Sequence, residues 1–236
     1  MKLLAFETAT EACSVALHVD GQVLERFEIA PRRHAELSLP WAEQLLAEAG
    51  IARSQLDGIA LSRGPGAFTG VRLGIAIAQG IALALDCPLL PVSTLETLAL
   101  RAPDVAPQVL ACIDARMGEV YAARYRRDAD GVLQLQDGER LIAPEAYGLP
   151  GDDGVWAGVG TGFGAGEGVL ATRLQSRLSS VDAQALPRAA DVLRIAAPAM
   201  LRGEGIAPER VQPAYLRDNV ALTLVEQQAL RAAKAG

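Results

Sequence analysis

The stretch SRGPGAFTGVRLGIAIAQGIALALD, residues 62–86, decides how this chain folds. A Gly/Pro loop leads to Thr69, an N-cap residue type, and from there a helix is predicted to Asp86. After its first turn the only polar side chains are Arg72, Gln79 and Asp86. At about 100° per residue they fall on one narrow stripe. Everything else round the cylinder is Val, Leu, Ile, Ala or Gly, so this helix has two apolar faces. Leu73, Ile77, Ile81 and Ala84 share one, read as the side that packs on the helix's own sheet. Val71, Gly74, Ile75, Ala78, Ala82 and Leu85 share the other. Its small residues suit close helix approach, and it is read as the face that needs another element or another subunit.

Outward from this helix the pattern is β/α on both sides. Leu56–Leu61 reads as a buried strand before it and Pro88–Val92 as a short one after it. Towards the N-terminus, Leu3–Phe6, Cys13–Val19 and Val23–Ile29 read as antiparallel strands, the last two joined at the hairpin signal Asp20-Gly21. His34–Ala49 reads as a helix with Leu37, Trp41 and Leu45 on one side and Pro40 near its start. Ser93 or Thr94 caps a helix that runs to about Arg101.

The pattern restarts after Pro103–Pro107. Gln108–Asp114, Gly118–Tyr125 and Gly131–Leu135 read as strands, Pro144–Gly148 as a short helical piece, and Val155–Gly160 as a strand entering the Gly-rich loop Gly158–Gly168. Ala189–Leu201 reads as a helix, Val211–Leu216 as extended, and Val220–Ala235 as a terminal helix. The expectation is an α/β fold of two related lobes, each with a mixed sheet that opens on antiparallel strands. Residues 1–102 form the first, partner-binding lobe, completed by the tail helix 217–236, and residues 103–216 the second.

Composition narrows the function. The chain has 236 residues, half of them hydrophobic, with 22 basic against 28 acidic side chains and a net charge of −6. This argues against a protein that grips nucleic acid alone over a broad basic surface. Cys13, Cys87 and Cys112 sit singly among apolar residues and read as reduced thiols of a cytoplasmic protein. The N-terminus lacks an h-region and reads as a strand. The 69–86 helix approaches membrane-spanning length, but its glycines, Arg72, Gln79 and β/α setting argue against a membrane.

No catalytic constellation is visible. The two histidines, His18 and His34, read as surface or cap residues without metal-ligand spacing, and no metal site is expected. There is no G-x-S-x-G elbow. The turns Glu7–Ser14 and Asp114–Glu119 open the two halves, and such turns facing across a cleft can hold phosphates through backbone N–H groups. Glu7, Thr8, Thr10, Ser14, Asp114 and Arg116, with Gly158 and Gly160 of the Gly-rich loop, are the candidates for a vestigial nucleotide site. No Walker A motif is present. The rival readings are an ATP-dependent small-molecule kinase of the same fold and a metalloprotease.

Five stretches, in order over nearly the whole chain, resemble the bacterial TsaB (YeaZ) family: LLAFETATEACSVAL from Leu3, SRGPGAFTGVRLG from Ser62, PVSTLETLA from Pro91, DARMGEVY from Asp114 and PAYLR from Pro213. The resemblance implies an actin/hexokinase/Hsp70-like fold and a role in making threonylcarbamoyladenosine beside the tRNA anticodon. It implies a non-catalytic subunit that pairs with the transferase TsaD through N-lobe helices and helps recruit the ATPase TsaE. Alone the chain would self-pair, and tRNA would be met only through the complex. No cofactor would be required by this chain, with a nucleotide at most at the complex interface. The interface residues then expected are Leu37, Trp41, Leu45, Val71, Gly74, Ile75, Ala78, Ala82 and Leu85. The family's transferase holds a metal through a His-x-x-x-His motif, and Ser93–Leu98 here carry no histidine. Glu7 departs from the Asp more usual in the family.

Overall fold

The computed structural model describes residues 1–151 and 154–217. The first sheet is built from β1 (Lys2–Glu7), β2 (Ala12–Val19), β3 (Gln22–Ile29), β4 (Gly58–Ser62) and β5 (Leu89–Val92) in the order β3-β2-β1-β4-β5. The β1–β2 and β2–β3 pairs are antiparallel, and β1–β4 and β4–β5 are parallel. Asp20 and Gly21 turn the β2–β3 hairpin with φ of 49° and 95°, the left-handed backbone that such a two-residue turn demands. Helix α1 (His34–Glu48) precedes β4, α2 (Phe68–Leu85) joins β4 to β5, and α3 (Thr94–Ala99) follows β5.

The second sheet repeats this plan. Its strands are β6 (Gln108–Arg116), β7 (Glu119–Arg127), β8 (Leu133–Leu135), β9 (Arg140–Ile142), β10 (Trp156–Val159) and β11 (Leu178–Asp182), ordered β11-β10-β6-β7-β8 with β9 on β7. Read backwards, that order matches the first sheet strand for strand, with two antiparallel pairings and then two parallel ones. Helices α4 (Val169–Leu174) and α5 (Ala189–Leu201) complete the described elements. The sequence pattern missed β9, β11 and α4, each six residues or fewer, and Pro144–Gly148 forms turns rather than a helix. The tail helix expected over 220–235 lies outside the described residues.

Strand alternation puts two different faces on the first sheet. Leu4, Phe6, Val15, Leu17, Ile59 and Leu61 face α1 and α2. Leu3, Ala5, Ala16, Ala60, Leu90 and Val92 face α5, through Ala189, Val192, Leu193 and Ala196. The alanines on this second face let the α5 backbone lie close to the strands.

This packing corrects the lobe boundaries. The 189–201 helix, assigned from sequence to the second lobe, packs on the first sheet. The α3 helix, assigned to the first lobe, packs Leu95, Leu98 and Ala99 on the second sheet against Val109, Ala111 and Val159. The chain also returns to the first sheet at Ile206, which exchanges backbone hydrogen bonds of 2.9 Å with Leu89. Arg101, just beyond α3, donates to the buried Asp191 of α5 at 3.3 Å and ties the crossing together.

Helix α2 also starts one residue before Thr69, at Phe68, with Ala67 as a cap residue that offers no side-chain acceptor. Its first turns are instead held against the β1–β2 turn. The Ala67 N–H donates to the Ala9 carbonyl at 2.7 Å, and a Cβ built on Gly70 would lie 2.0 Å from the Thr8 carbonyl oxygen. By contrast, a Cβ on Gly80 of the same helix meets nothing within 4 Å. Gly70→Ala should therefore cost more than about 2 kcal/mol in urea unfolding, because backbone must move to admit the methyl. Gly80→Ala should gain about 0.5–1 kcal/mol from helix propensity alone.

Candidate functional site

The first-lobe turn is a closed network. Glu7 ends β1 fully buried, and its carboxylate accepts from the Ser62 hydroxyl of β4 and, at 2.7 Å, from the Ala9 N–H. The Thr8 hydroxyl donates to the Gly70 carbonyl at 2.8 Å. The Thr10 hydroxyl accepts from the Ala12 N–H at 3.3 Å. Ser14 donates to Glu25 at 2.8 Å and accepts from the Ala189 N–H at 3.0 Å, so it pins the start of α5. His34, expected on the surface or at a cap, is buried with Nε2 3.0 Å from the carbonyls of both Thr10 and Ala12. All four polar candidates of this turn hold the fold together and are at most 5% exposed.

The second-lobe turn is more open. Asp114 accepts from the Arg116 N–H at 2.7 Å and from its guanidinium at 2.9 Å, while the Asp114 N–H donates to Thr161 at 3.1 Å. Arg217 spans the outside of this turn, donating to the Ala115 carbonyl at 3.1 Å and to Glu119 at 2.8 Å. The Gly-rich loop serves its own interior. A Cβ on Gly158 would meet the Phe163 ring at 2.6 Å, and one on Gly160 the Cys112 carbonyl at 2.2 Å. The glycines allow close approach here, but to protein rather than to ligand.

The sharpest correction falls on α2. Val71, Gly74, Ile75, Ala78 and Ala82, read as the partner face, are buried against the chain's own sheet and α1. Leu45 lies fully inside the same core, Leu37 is buried over Cys13 and Ala30, and Trp41 and Leu85 are half-buried. The reason is steric. A Cβ on Gly74 would stand 2.6 Å from the Thr8 hydroxyl oxygen, so only the small-residue side can sit this close to the turn. Of the larger side chains, Val71 and Ile75 are buried with it, Ile77, Ile81 and Leu85 pack partly against the same core, and Leu83 faces out. Leu73, Ile77 and Ile81 are half-exposed, Ala76 and Ala84 exposed, and Leu83 is 66% exposed. The face read as the partner's is thus the inner one, Ile77 and Ile81 lie at its flank against the same core, and the outward side carries Leu73, Ala76, Leu83 and Ala84.

At the N-terminal end of this outward face lies a stack that the sequence did not announce. Phe68 and Tyr215 are half-exposed, with ring centroids 6.1 Å apart. The Arg72 guanidinium lies 3.8 Å over the Phe68 ring, and its Nε donates to the Tyr215 hydroxyl at 2.5 Å. The separation of 143 positions between Arg72 and Tyr215 hid this partnership.

Two lobes of one plan, each a mixed sheet that opens on antiparallel strands joined by a turn, define a member of the actin/hexokinase/Hsp70-like class. The model of the family "TsaD: tRNA N6-adenosine threonylcarbamoyltransferase" matches residues 27–224. The chain is 44% identical over 226 residues to the Escherichia coli tRNA threonylcarbamoyladenosine biosynthesis protein TsaB, covering 94% of this chain and 96% of that one. It is 37% identical to the Haemophilus influenzae protein of the same name, covering 93% and 95%. Among solved structures it is similar to YeaZ from Pseudomonas aeruginosa, with a TM-score of 0.82 and 45% identity over 91% of this chain and 99% of that one. The chain belongs to the TsaB (YeaZ) family.

Burial of Glu7 has a measurable consequence. Desolvation raises its pKa from 4.5 to about 7, against the hydrogen bonds from Ser62 and Ala9 that favour the charged form. The folded state therefore holds this proton more tightly than the unfolded state. The group's stabilisation is complete below pH 4.5 and is lost as pH rises through about 7. The loss is about 3 kcal/mol. In urea melts from about pH 5 to about pH 8, Glu7→Gln should remove this decline, leaving a flatter profile than the parent.

Proposed function

We propose that this chain acts in tRNA threonylcarbamoyladenosine formation as a non-catalytic subunit that binds a TsaD-like transferase through the outward face of α2. The observation that carries this is the apolar stripe Leu73, Ala76, Leu83 and Ala84, which the described part of the chain leaves exposed or half-exposed on a helix held from behind by the β1–β2 turn. The names of the TsaB relatives place those proteins in this biosynthesis. An apolar stripe on a stiff helix is the kind of surface a stable partner buries.

The buried turn supports the non-catalytic part of the reading. A kinase of this fold needs a carboxylate and phosphate-binding groups open to the cleft, and Glu7, Thr8, Thr10 and Ser14 are committed to internal bonds. In this proposal no cofactor is needed by the chain alone, and a nucleotide belongs to the interface with the transferase. The TsaE-like ATPase joins the pair, and tRNA is met through the complex. Without its partner, the same stripe closes on a second copy in an isologous contact. The setting is the cytoplasm. Helix α2 has the length and hydropathy of a membrane span. Its buried Val71, Gly74 and Ala78 already cover a sheet, and Gln79 donates to the Pro208 carbonyl at 2.8 Å, as befits a helix on a soluble domain.

Leu73→Glu combined with Leu83→Glu should abolish co-purification with a co-expressed TsaD-like transferase and leave a folded monomer on a sizing column, since an unpaired charge in a dry interface is costly. Ala78→Glu, on the buried face, should instead yield unfolded protein. Normal pairing by the double variant would reject this face as the interface.

A further inference from the structure

Behind the first sheet, away from α2, lies a cleft of about 710 Å³. Its polar groups come from separate elements: Arg63 at the end of β4, Ser93 and Glu96 at the start of α3, Tyr125 on β7, and Glu139 before β9. No sequence motif joins them, and nothing in the closed turn of the first lobe uses them. Leu90, Val92, Ile195 and Ala199 supply apolar lining, and the charged pair Arg202 and Glu204, which also lines the cleft, is closed on itself by an ion pair.

The valences in this cleft are unfilled. Among the described residues, the Arg63 guanidinium has no hydrogen bond or ion pair, and no donor reaches the Glu96 carboxylate. Ser93 donates to one oxygen of Glu139 and leaves the other free. The Tyr125 hydroxyl, on a residue only 1% exposed, lies near the Ser93 hydroxyl without a hydrogen bond of good geometry. Buried polar groups of this kind are normally satisfied. Arg63 influences the ionisation of both glutamates, yet forms no ion pair within 4 Å of either. Opposite charges are thus held apart across a cavity rather than closed on each other.

A phosphate or nucleotide would meet Arg63 but also two carboxylates that repel it. A simple amine would meet the carboxylates but also the guanidinium. A ligand that carries both signs a short distance apart satisfies the whole set. We propose that the cleft binds a free α-amino acid with an apolar side chain, its carboxylate on the Arg63 guanidinium and its ammonium between Glu96 and Glu139. The guanidinium fork matches a carboxylate in two parallel hydrogen bonds. The carboxylates supply acceptors for the ammonium, and the wall of Leu90, Val92 and Ile195 takes the side chain. Burial raises the pKa of both glutamates, and an ammonium between them would favour their charged forms.

Isothermal titration of the full chain with L-leucine, L-leucinamide and N-acetyl-L-leucine tests this. L-leucine should bind at least about tenfold more tightly than either analogue, each of which lacks one charge. Arg63→Gln should erase the preference over L-leucinamide. Glu96→Gln with Glu139→Gln should erase the preference over N-acetyl-L-leucine. Absence of saturable L-leucine binding up to about 10 mM overturns the proposal, as does equal binding of all three ligands or undiminished L-leucine binding by a folded Arg63→Gln variant. The ligand series on the unaltered chain decides the matter even where a variant fails to fold. Pairing with the transferase is read separately, so the outcome leaves the interface proposal untouched.

Discussion

The contact between the backbone of the β1–β2 turn and the first turns of α2 governs the rest of this lobe. Gly66, Gly70 and Gly74 each stand where a Cβ would lie within 2.6 Å of an Ala9 or Thr8 oxygen. Only glycine admits that approach. Once made, the contact fixes the height of α2 above the sheet and its rotation about its own axis. It also seals Glu7 and Thr8 into the interior, and the hydrogen bonds from Ser62 and Ala9 offset part of the cost of burying a carboxylate. One steric requirement thus closes a turn that could otherwise face a ligand and decides which side of α2 faces solvent.

That requirement also explains which parts of the molecule were legible. Strands β1, β2 and β3 follow from alternation and from Asp20-Gly21, because a period of two and a left-handed turn are local properties. The duplication could be read because both lobes begin with the same local pattern. The rotation of α2 is not local. Its two faces are both apolar, and a rule that puts the bulkiest residues inside selects Leu73, Ile77 and Ile81. Depth is set by what lies beneath, and beneath α2 is a main-chain turn with no room for side chains. At the two positions of α2 directly over that turn, 70 and 74, only glycine fits.

The exchange of helices between the lobes was hidden for a related reason. Leu95, Leu98 and Ala99 announce that α3 buries one side, as Ala189, Val192 and Ala196 do for α5. A pattern of burial gives the amount of surface to be covered and not the sheet that covers it. Chain order favours the nearer sheet, and here each helix takes the farther one. The physical gain is a mutual lock. Asp191 of α5, 4% exposed, receives Arg101 from beyond α3 beside Arg194 of its own helix, so the two borrowed helices are joined through one buried carboxylate.

The outward face of α2 and the cleft lined by α5 lie on opposite sides of the first sheet, yet they share a strand. Arg63 closes β4, its N–H bonded to the Val92 carbonyl at 2.9 Å, and its own carbonyl accepts from Ala214 at 2.8 Å. Its side chain lines the cleft, and the loop that follows it runs through Gly66 into α2. The next residues, Gly64 to Gly70, are pinned to Thr8, Ala9 and Ala214 along much of their length. A displacement at Arg63 would therefore pass into α2 through a loop with little slack, since close-packed backbone transmits strain rather than absorbing it. The short link between the two surfaces is a consequence of the same glycine contacts that set the helix in place.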